Sequence, residues 1–397
     1  INKIDKLKNP KLKSINQIPR LDLSNKNSYM FKSWNSHNSP ILPVIQIERN
    51  KNNTYKLWIH TNAIAERLDI SSKKSLQIFF NRFESFPLLD KWQNYLSDEI
   101  CKAAIFNVNE INEAISLCMN INSDFEINNW SFHLTKVKCC FLVQNHHIEA
   151  LLKRKSKTRI TSRVLKPIKD FIEDLDKIIE ISNEFRKKHI SNGKIEIPKP
   201  NNNIESLNEL LVHNPVDFSK EYLEPLNNND IQTYLSPLLY EANSIWYEHS
   251  QNYNLNNASY IPQKLDYVNV SEIIKNSELI ESNFELNDNG TLSFKNLIEL
   301  CSDDNKKRIL HKILINILRD NEVTLISNNS DYHTKNIISP WTLPSFDFIN
   351  LINQYNIYNM IINGKRSKNS NGDIINIMVK DSWDNVNWNL YSSPVLK

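Results

Sequence analysis

Glycine is nearly missing from this sequence: 4 of 397 residues, where ordinary usage is roughly 7%. Glycine-rich phosphate loops and strained nucleophile turns need backbone conformations that only glycine adopts cheaply. The four present, Gly193, Gly290, Gly364 and Gly372, stand far apart. No GxGxxG, P-loop or GxSxG arrangement exists, which removes most nucleotide-binding and hydrolase readings. Cysteine is also scarce. Cys101, Cys118, Cys139, Cys140 and Cys301 show no CxxC spacing, and an odd number in a long chain fits reduced thiols in a non-secretory compartment. No apolar run approaches the roughly 18 residues of a membrane span.

Asparagine, lysine and isoleucine are over-used instead, the signature of drift in an AT-rich coding sequence. Asparagine favours turns and caps over helix interiors, so long polar loops between helices are expected. Hydrophobic residues still make up 40% and charged residues 23%, enough for packed cores. The chain opens at Ile1, with Lys3, Lys6, Lys8, Lys11, Lys13 and Arg20 against Asp5 alone. That balance is common just behind a mitochondrial presequence, so the expected place of work is the mitochondrial matrix.

The pattern divides the chain into four stretches. Residues 1–62 read as an extended segment closing in a β-hairpin over 41–62, around the turn-prone Asn50–Asn53. Residues 63–190 read as mainly helical, with the clearest helix at 163–188, where Leu165, Ile168, Ile172, Leu175, Ile179 and Phe185 form one stripe. The stretch 130–144 fits a strand or a buried helix equally. Residues 191–235 form a polar linker with Pro198, Pro200 and two asparagine triplets. The remainder, 236–397, combines helices at 236–253 and 292–313, a hairpin over 316–327, and a strand-to-helix segment at 340–361.

Several constellations are candidates for chemistry. Lys153, Arg154, Lys155, Lys157, Arg159, Arg163, Lys166 and Lys169 are eight cations with no intervening acid. Such a run can neutralise phosphates without reading sequence, or it can simply be solvated. With a net charge of only +3, any RNA contact should be local. His146 and His147 near Cys139 and Cys140 do not converge on one tetrahedral ion. His133, His213, His311 and His333 have no sequence neighbours that complete a triad. Tryptophans such as Trp34, Trp58, Trp92, Trp130 and Trp246 are expected as core anchors.

The order and residues of the last 160 positions resemble the second domain of iron/manganese superoxide dismutases. The nearest likeness is to the degenerate versions in the small subunit of fungal mitochondrial ribosomes. The resemblance is carried by Leu318–Ile326, by Trp341-Thr342-Leu343-Pro344, by Ile349 to Tyr355 and by the closing Asp384-Asn385-Val386-Asn387-Trp388. The helix over 244–253, with His249 and Tyr253, matches the first long helix of that family. The resemblance implies a C-terminal dismutase-like α+β domain; with the mainly helical N-terminal region read from the residue pattern, the expected fold class is α+β. The resemblance also implies lost metal chemistry, because the ligand positions carry Ile245, Asn350 and Gln354, none of them a good ligand for iron or manganese. The function implied is a non-catalytic structural component of the small ribosomal subunit. Its partners would be ribosomal proteins and rRNA, with a second dismutase-like subunit allowed and no cofactor. The alternative is a mitochondrial RNA-binding factor, a translational activator or RNA-processing protein, working through the basic run.

Overall fold

A computed structural model describes residues 19–32, 41–50, 54–67, 85–87, 92–154, 163–191, 231–253, 255, 257–262, 306, 321–326 and 339–363. Ten strands and five α-helices lie among them. The strands are β1 (Leu21–Asp22), β2 (Ser28–Lys32), β3 (Val44–Arg49), β4 (Tyr55–Asn62), β5 (Phe86–Pro87), β6 (Trp92–Gln93), β7 (Ile111–Ile121), β8 (Ile127–Gln144), β9 (Asn257–Pro262) and β10 (Asn321–Ile326). The helices are α1 (Asp98–Ala104), α2 (Asn145–Leu152), α3 (Ile172–Ser191), α4 (Ile231–Asn252) and α5 (Phe348–Asn363); 3₁₀ turns span Ala65–Arg67 and Lys166–Phe171.

The main sheet is mixed and closes on itself. Antiparallel pairing runs β2–β3–β4–β7–β8, and β8 then pairs in parallel with β2 and β1. At 18 residues, β8 serves both neighbours: its first two-thirds face β7, from Ile127↔Ile121 to Lys138↔Ile111, and its last residues face β2. The register slips at Cys140, since Ser28 pairs with Cys139 but Tyr29 with Phe141. Such a bulge bends a strand and lets a sheet curl.

Strand alternation sorts the side chains onto two faces. Tyr29, Ile45, Ile47, Leu57, Ile59, Leu117 and Met119 share one core with Leu175, Ile178 and Phe185 of α3, Leu238 and Trp246 of α4, and Ile349 and Ile352 of α5. Helices cannot fit inside five strands, so this is the outer face. The inner face holds the smaller set Val44, Trp58, Ala114, Cys118, Val137 and Cys139. Its polar members are also buried: His60 Nδ1 meets Ser116 Oγ at 2.7 Å, and Ser116 Oγ meets Thr135 Oγ1 at 2.7 Å.

With glycine so rare, left-handed backbone falls to other residues. Phe125 sits at φ 58 and Asn109 at φ 66. In the β7–β8 turn, Asn122 Oδ1 accepts the N–H groups of Asp124 (3.0 Å) and Glu126 (2.8 Å). These bonds hold the turn that gives Phe125 its costly angle, and Lys177 lies over the Phe125 ring.

This architecture corrects the expected fold class. The region read as mainly helical contains the longest hairpin of the molecule, β7–β8. The alternation in INEAISLCMNI (Ile111–Ile121) is strand periodicity and overrides the short helical stretches on either side. The expected hairpin over 41–62 is present as β3–β4, with Val44 opposite His60. In the C-terminal third, Asn321–Ile326 pairs with the distant Asn257–Pro262; the rest of the hairpin expected over 316–327 lies outside the described residues. No dismutase-like domain stands apart there, because α4 and α5 bury their apolar residues in the same core as the closed sheet. The closing segment 381–388, with Trp388, lies outside the described residues.

Candidate nucleic-acid interface

The positions read as lost metal ligands are structural staples. Helix α5 is buried around its first three turns, with Phe348, Ile349, Leu351, Ile352 and Ile357 in the core and Asn350, Asn353 and Gln354 buried beside them. A buried amide must find partners, and these do. Asp347 precedes the helix and accepts the Asn350 N–H at 2.7 Å, an N-cap arrangement. Asn350 Nδ2 donates to the other Asp347 oxygen at 2.9 Å, while Asn350 Oδ1 accepts the Leu343 N–H at 3.0 Å. Asn353 Nδ2 donates to the carbonyls of Ala258 (2.7 Å) and Pro340 (2.8 Å), and its Oδ1 accepts the Ala258 N–H at 2.9 Å. Gln354 ties the helix to the end of β4: Oε1 accepts the Ala65 N–H at 3.0 Å, and Nε2 donates to Thr61 Oγ1 and the Asn62 carbonyl, both at 2.9 Å. Ile245, on α4, is a core residue.

Carboxylates in the interior are similarly committed. Glu66 is buried against Arg20, and Arg20 also approaches Glu113 at 3.5 Å while Arg67 reaches Glu113 at 3.2 Å. Burial still pushes the Glu66 carboxyl above its usual range, although Arg20 pulls it the other way. Tyr29 donates to Asp174 at 2.5 Å. Among the described residues no three His, Cys, Asp or Glu side chains converge as a metal site would require.

The histidines and cysteines are quiet for physical reasons. His147 Nδ1 accepts the Gln144 N–H at 3.1 Å and caps α2, and burial with neighbouring His146 lowers its pKa to about 4. Burial lowers His60 to about 3. It raises Cys101 and Cys118 to about 11 and Cys139 to about 12, so these thiols stay protonated and weakly nucleophilic. His133 meets Ser131 Oγ at 2.7 Å. His213, His311 and His333 lie outside the described residues, as does Trp34. Trp58, Trp92 and Trp246 are buried anchors.

The basic run is only partly available. Lys153 pairs with Glu149 at 2.5 Å and Arg154 with Asp176 at 2.6 Å. Lys155, Lys157 and Arg159 lie outside the described residues. Arg163, Lys166 and Lys169 are exposed. The backbone there departs from the helix expected over 163–188: Lys166–Phe171 is 3₁₀, and the α-helix starts only at Ile172. Leu165 and Ile168 are both fully buried, with Phe171 packed on the same core, and their three-residue steps suit three residues per turn better than 3.6. A shallow groove of about 450 Å³ along α3 is lined by Asp176, Glu180 and Glu184 against Arg186 and Lys187. It carries more acid than base and suits no phosphate.

Comparison with known proteins agrees with this closed sheet and its helices. The chain matches the RNB domain over residues 20–361. Among solved structures it is similar to RNase R of Mycoplasma genitalium in complex with ribose-methylated single-stranded RNA, at a TM-score of 0.70 and 12% identity, covering 99% of this chain and 61% of that one. The same enzyme with double-stranded RNA gives 0.70 and 12%, covering 96% and 68%. Yeast Ssd1, described as a pseudonuclease, gives 0.67 and 12%, covering 97% and 46%. An active-site mutant of the Dss1 exoribonuclease from Candida glabrata gives 0.63 and 14%, covering 97% and 49%. The chain thus spans about three-fifths of the first of these relatives and under half of the last two. No curated protein matches it. These likenesses overturn the dismutase resemblance and the ribosomal-subunit reading built on it. That resemblance rested on short polar and aromatic motifs along and beside α4 and α5, most of them buried, whereas the match that spans the chain follows the sheet as well as the helices. Residues 20–361, closed sheet and covering helices together, belong to the RNB domain family.

Proposed function

We propose that this protein is an RNA-binding member of the RNB family that holds RNA without hydrolysing it. The observation that carries the binding half is the RNB match over residues 20–361, together with the likeness to a relative seen with single- and double-stranded RNA. The silent half is supported by side-chain chemistry. Metal-assisted cleavage of a phosphodiester uses carboxylates converging on one or two ions. The buried acids among the described residues, Glu66 and Asp347, are already engaged with Arg20 and the start of α5. Ssd1 is a precedent for an RNB-like protein described as a pseudonuclease.

Within this reading the cationic stretch 153–169 supplies the phosphate contact. Two of its members are spent on Glu149 and Asp176, so the weight falls on the residues toward its C-terminal end. Its proposed place is the mitochondrial matrix, on the lysine excess of residues 1–20, and cell fractionation tests that placement.

The binding half is tested by anisotropy of a labelled single-stranded RNA titrated with the full chain at low and moderate salt. Saturable binding that weakens as salt rises is expected, because phosphate contacts release counterions. Absence of binding at the lowest salt would rule the reading out.

A further inference from the structure

The sequence from Arg163 to Phe171 is a triplet repeated three times: Arg-Val-Leu, Lys-Pro-Ile, Lys-Asp-Phe. In a 3₁₀ helix residues three apart stand directly above one another. The segment adopts that form over Lys166–Phe171, entered through a turn at 163–165. The third residue of each triplet, Leu165, Ile168 and Phe171, faces the core. The second residues, Val164, Pro167 and Asp170, form another edge. The first residues, Arg163, Lys166 and Lys169, form an edge of cations alone, all exposed. A rise of about 2.0 Å per residue separates them by roughly 6 Å, the same order as neighbouring phosphates along a nucleic-acid strand. None of the three takes an ion pair among the described residues, unlike Lys153 and Arg154. The burial of Leu165 and Ile168 fixes the edge in place, so these cations are pre-arranged rather than loosely tethered.

We propose that Arg163, Lys166 and Lys169 form a ridge that tracks the phosphate backbone of one RNA strand, independent of base sequence. The proposal rests on the RNA-binding reading above and names the surface that performs it. The three contacts are electrostatic, so each should contribute about 0.7 to the slope of log affinity against log salt for a single strand.

The test is a titration of labelled oligouridine with the full chain at several salt concentrations. It compares wild type with R163Q/K166Q/K169Q and with K102Q/K136Q/K138Q, which removes the same charge from exposed positions elsewhere. The ridge variant should bind more weakly, with a slope flatter by about 2, and the control should stay near wild type. K166R/K169R, which keeps the charges, should restore the wild-type slope and guards against a folding artefact. If wild type binds and the ridge variant binds identically, the ridge is overturned while the RNA-binding reading stands. If the control falls as far as the ridge variant, the attraction is diffuse and the ridge is again overturned. If wild type binds no RNA at all, both fail together.

Discussion

Replacing Gln354 with methionine, nearly the same in length and volume, isolates what its amide does. The Asn62 carbonyl keeps the Ile64 N–H at 2.8 Å, and the Thr61 hydroxyl keeps its bond to the Ile115 carbonyl at 2.9 Å. The Ala65 N–H, buried with its residue, has the Gln354 oxygen as its acceptor at 3.0 Å. Orphaning one buried donor costs about 1–3 kcal/mol, and each of the two other bonds contributes roughly 0.5–1.5 kcal/mol net. Greater burial of an apolar side chain offsets a part, leaving a loss of about 2–4 kcal/mol. Against a typical stability of roughly 5–15 kcal/mol, urea denaturation followed by tryptophan fluorescence should show a clearly lower midpoint. Because Thr61 and Gln354 share a bond, Gln354→Met and Thr61→Val should be less than additive, by about 0.5 kcal/mol or more. An unchanged midpoint, or strict additivity, would refute the claim that α5 is stapled to β4 through this amide.

Two further outcomes follow from burial. His60 is neutral inside the sheet with a pKa lowered to about 3, so its contribution to stability is complete above its ordinary pKa of roughly 6.5 and is lost as pH falls toward the folded value. Between pH 7 and 5 the stability of wild type should drop by up to about 1.4 kcal/mol per unit below the unfolded pKa, and His60→Gln should flatten that drop in denaturation curves taken across the range. Ile168→Ala removes a fully buried side chain and should cost about 2–5 kcal/mol, read by thermal unfolding. Lys166→Ala beside it should shift stability by no more than roughly 0.5 kcal/mol.

The sequence announced some of this molecule clearly. The alternation around Asn50–Asn53 specified the β3–β4 hairpin, and the apolar stripe of residues 172–185 specified α3. It hid β8, because Trp130, Phe132, Cys139 and Phe141 are compatible with either periodicity and only pairing with β7 and β2 decides between them. It hid the parallel β2–β8 contact entirely, since that joins residues more than 100 positions apart. The amides of α5 were visible but misread. Asparagine in an asparagine-rich chain carries little local signal, and what makes Asn353 and Gln354 structural is burial opposite unpaired backbone. The triplet repeat at 163–171 was legible in principle, but its apolar positions also fit an α-helical stripe once α3 is appended.

The fate of bound RNA separates a protein that holds RNA from one that cuts it. A labelled single-stranded RNA should be saturated with the full-length chain, supplied with magnesium or manganese, and followed over time on a denaturing gel. The expected result is a salt-sensitive complex whose RNA remains full length at every time point. Progressive shortening or release of mononucleotides, suppressed when the metal is chelated, would show a working nuclease and contradict the proposal.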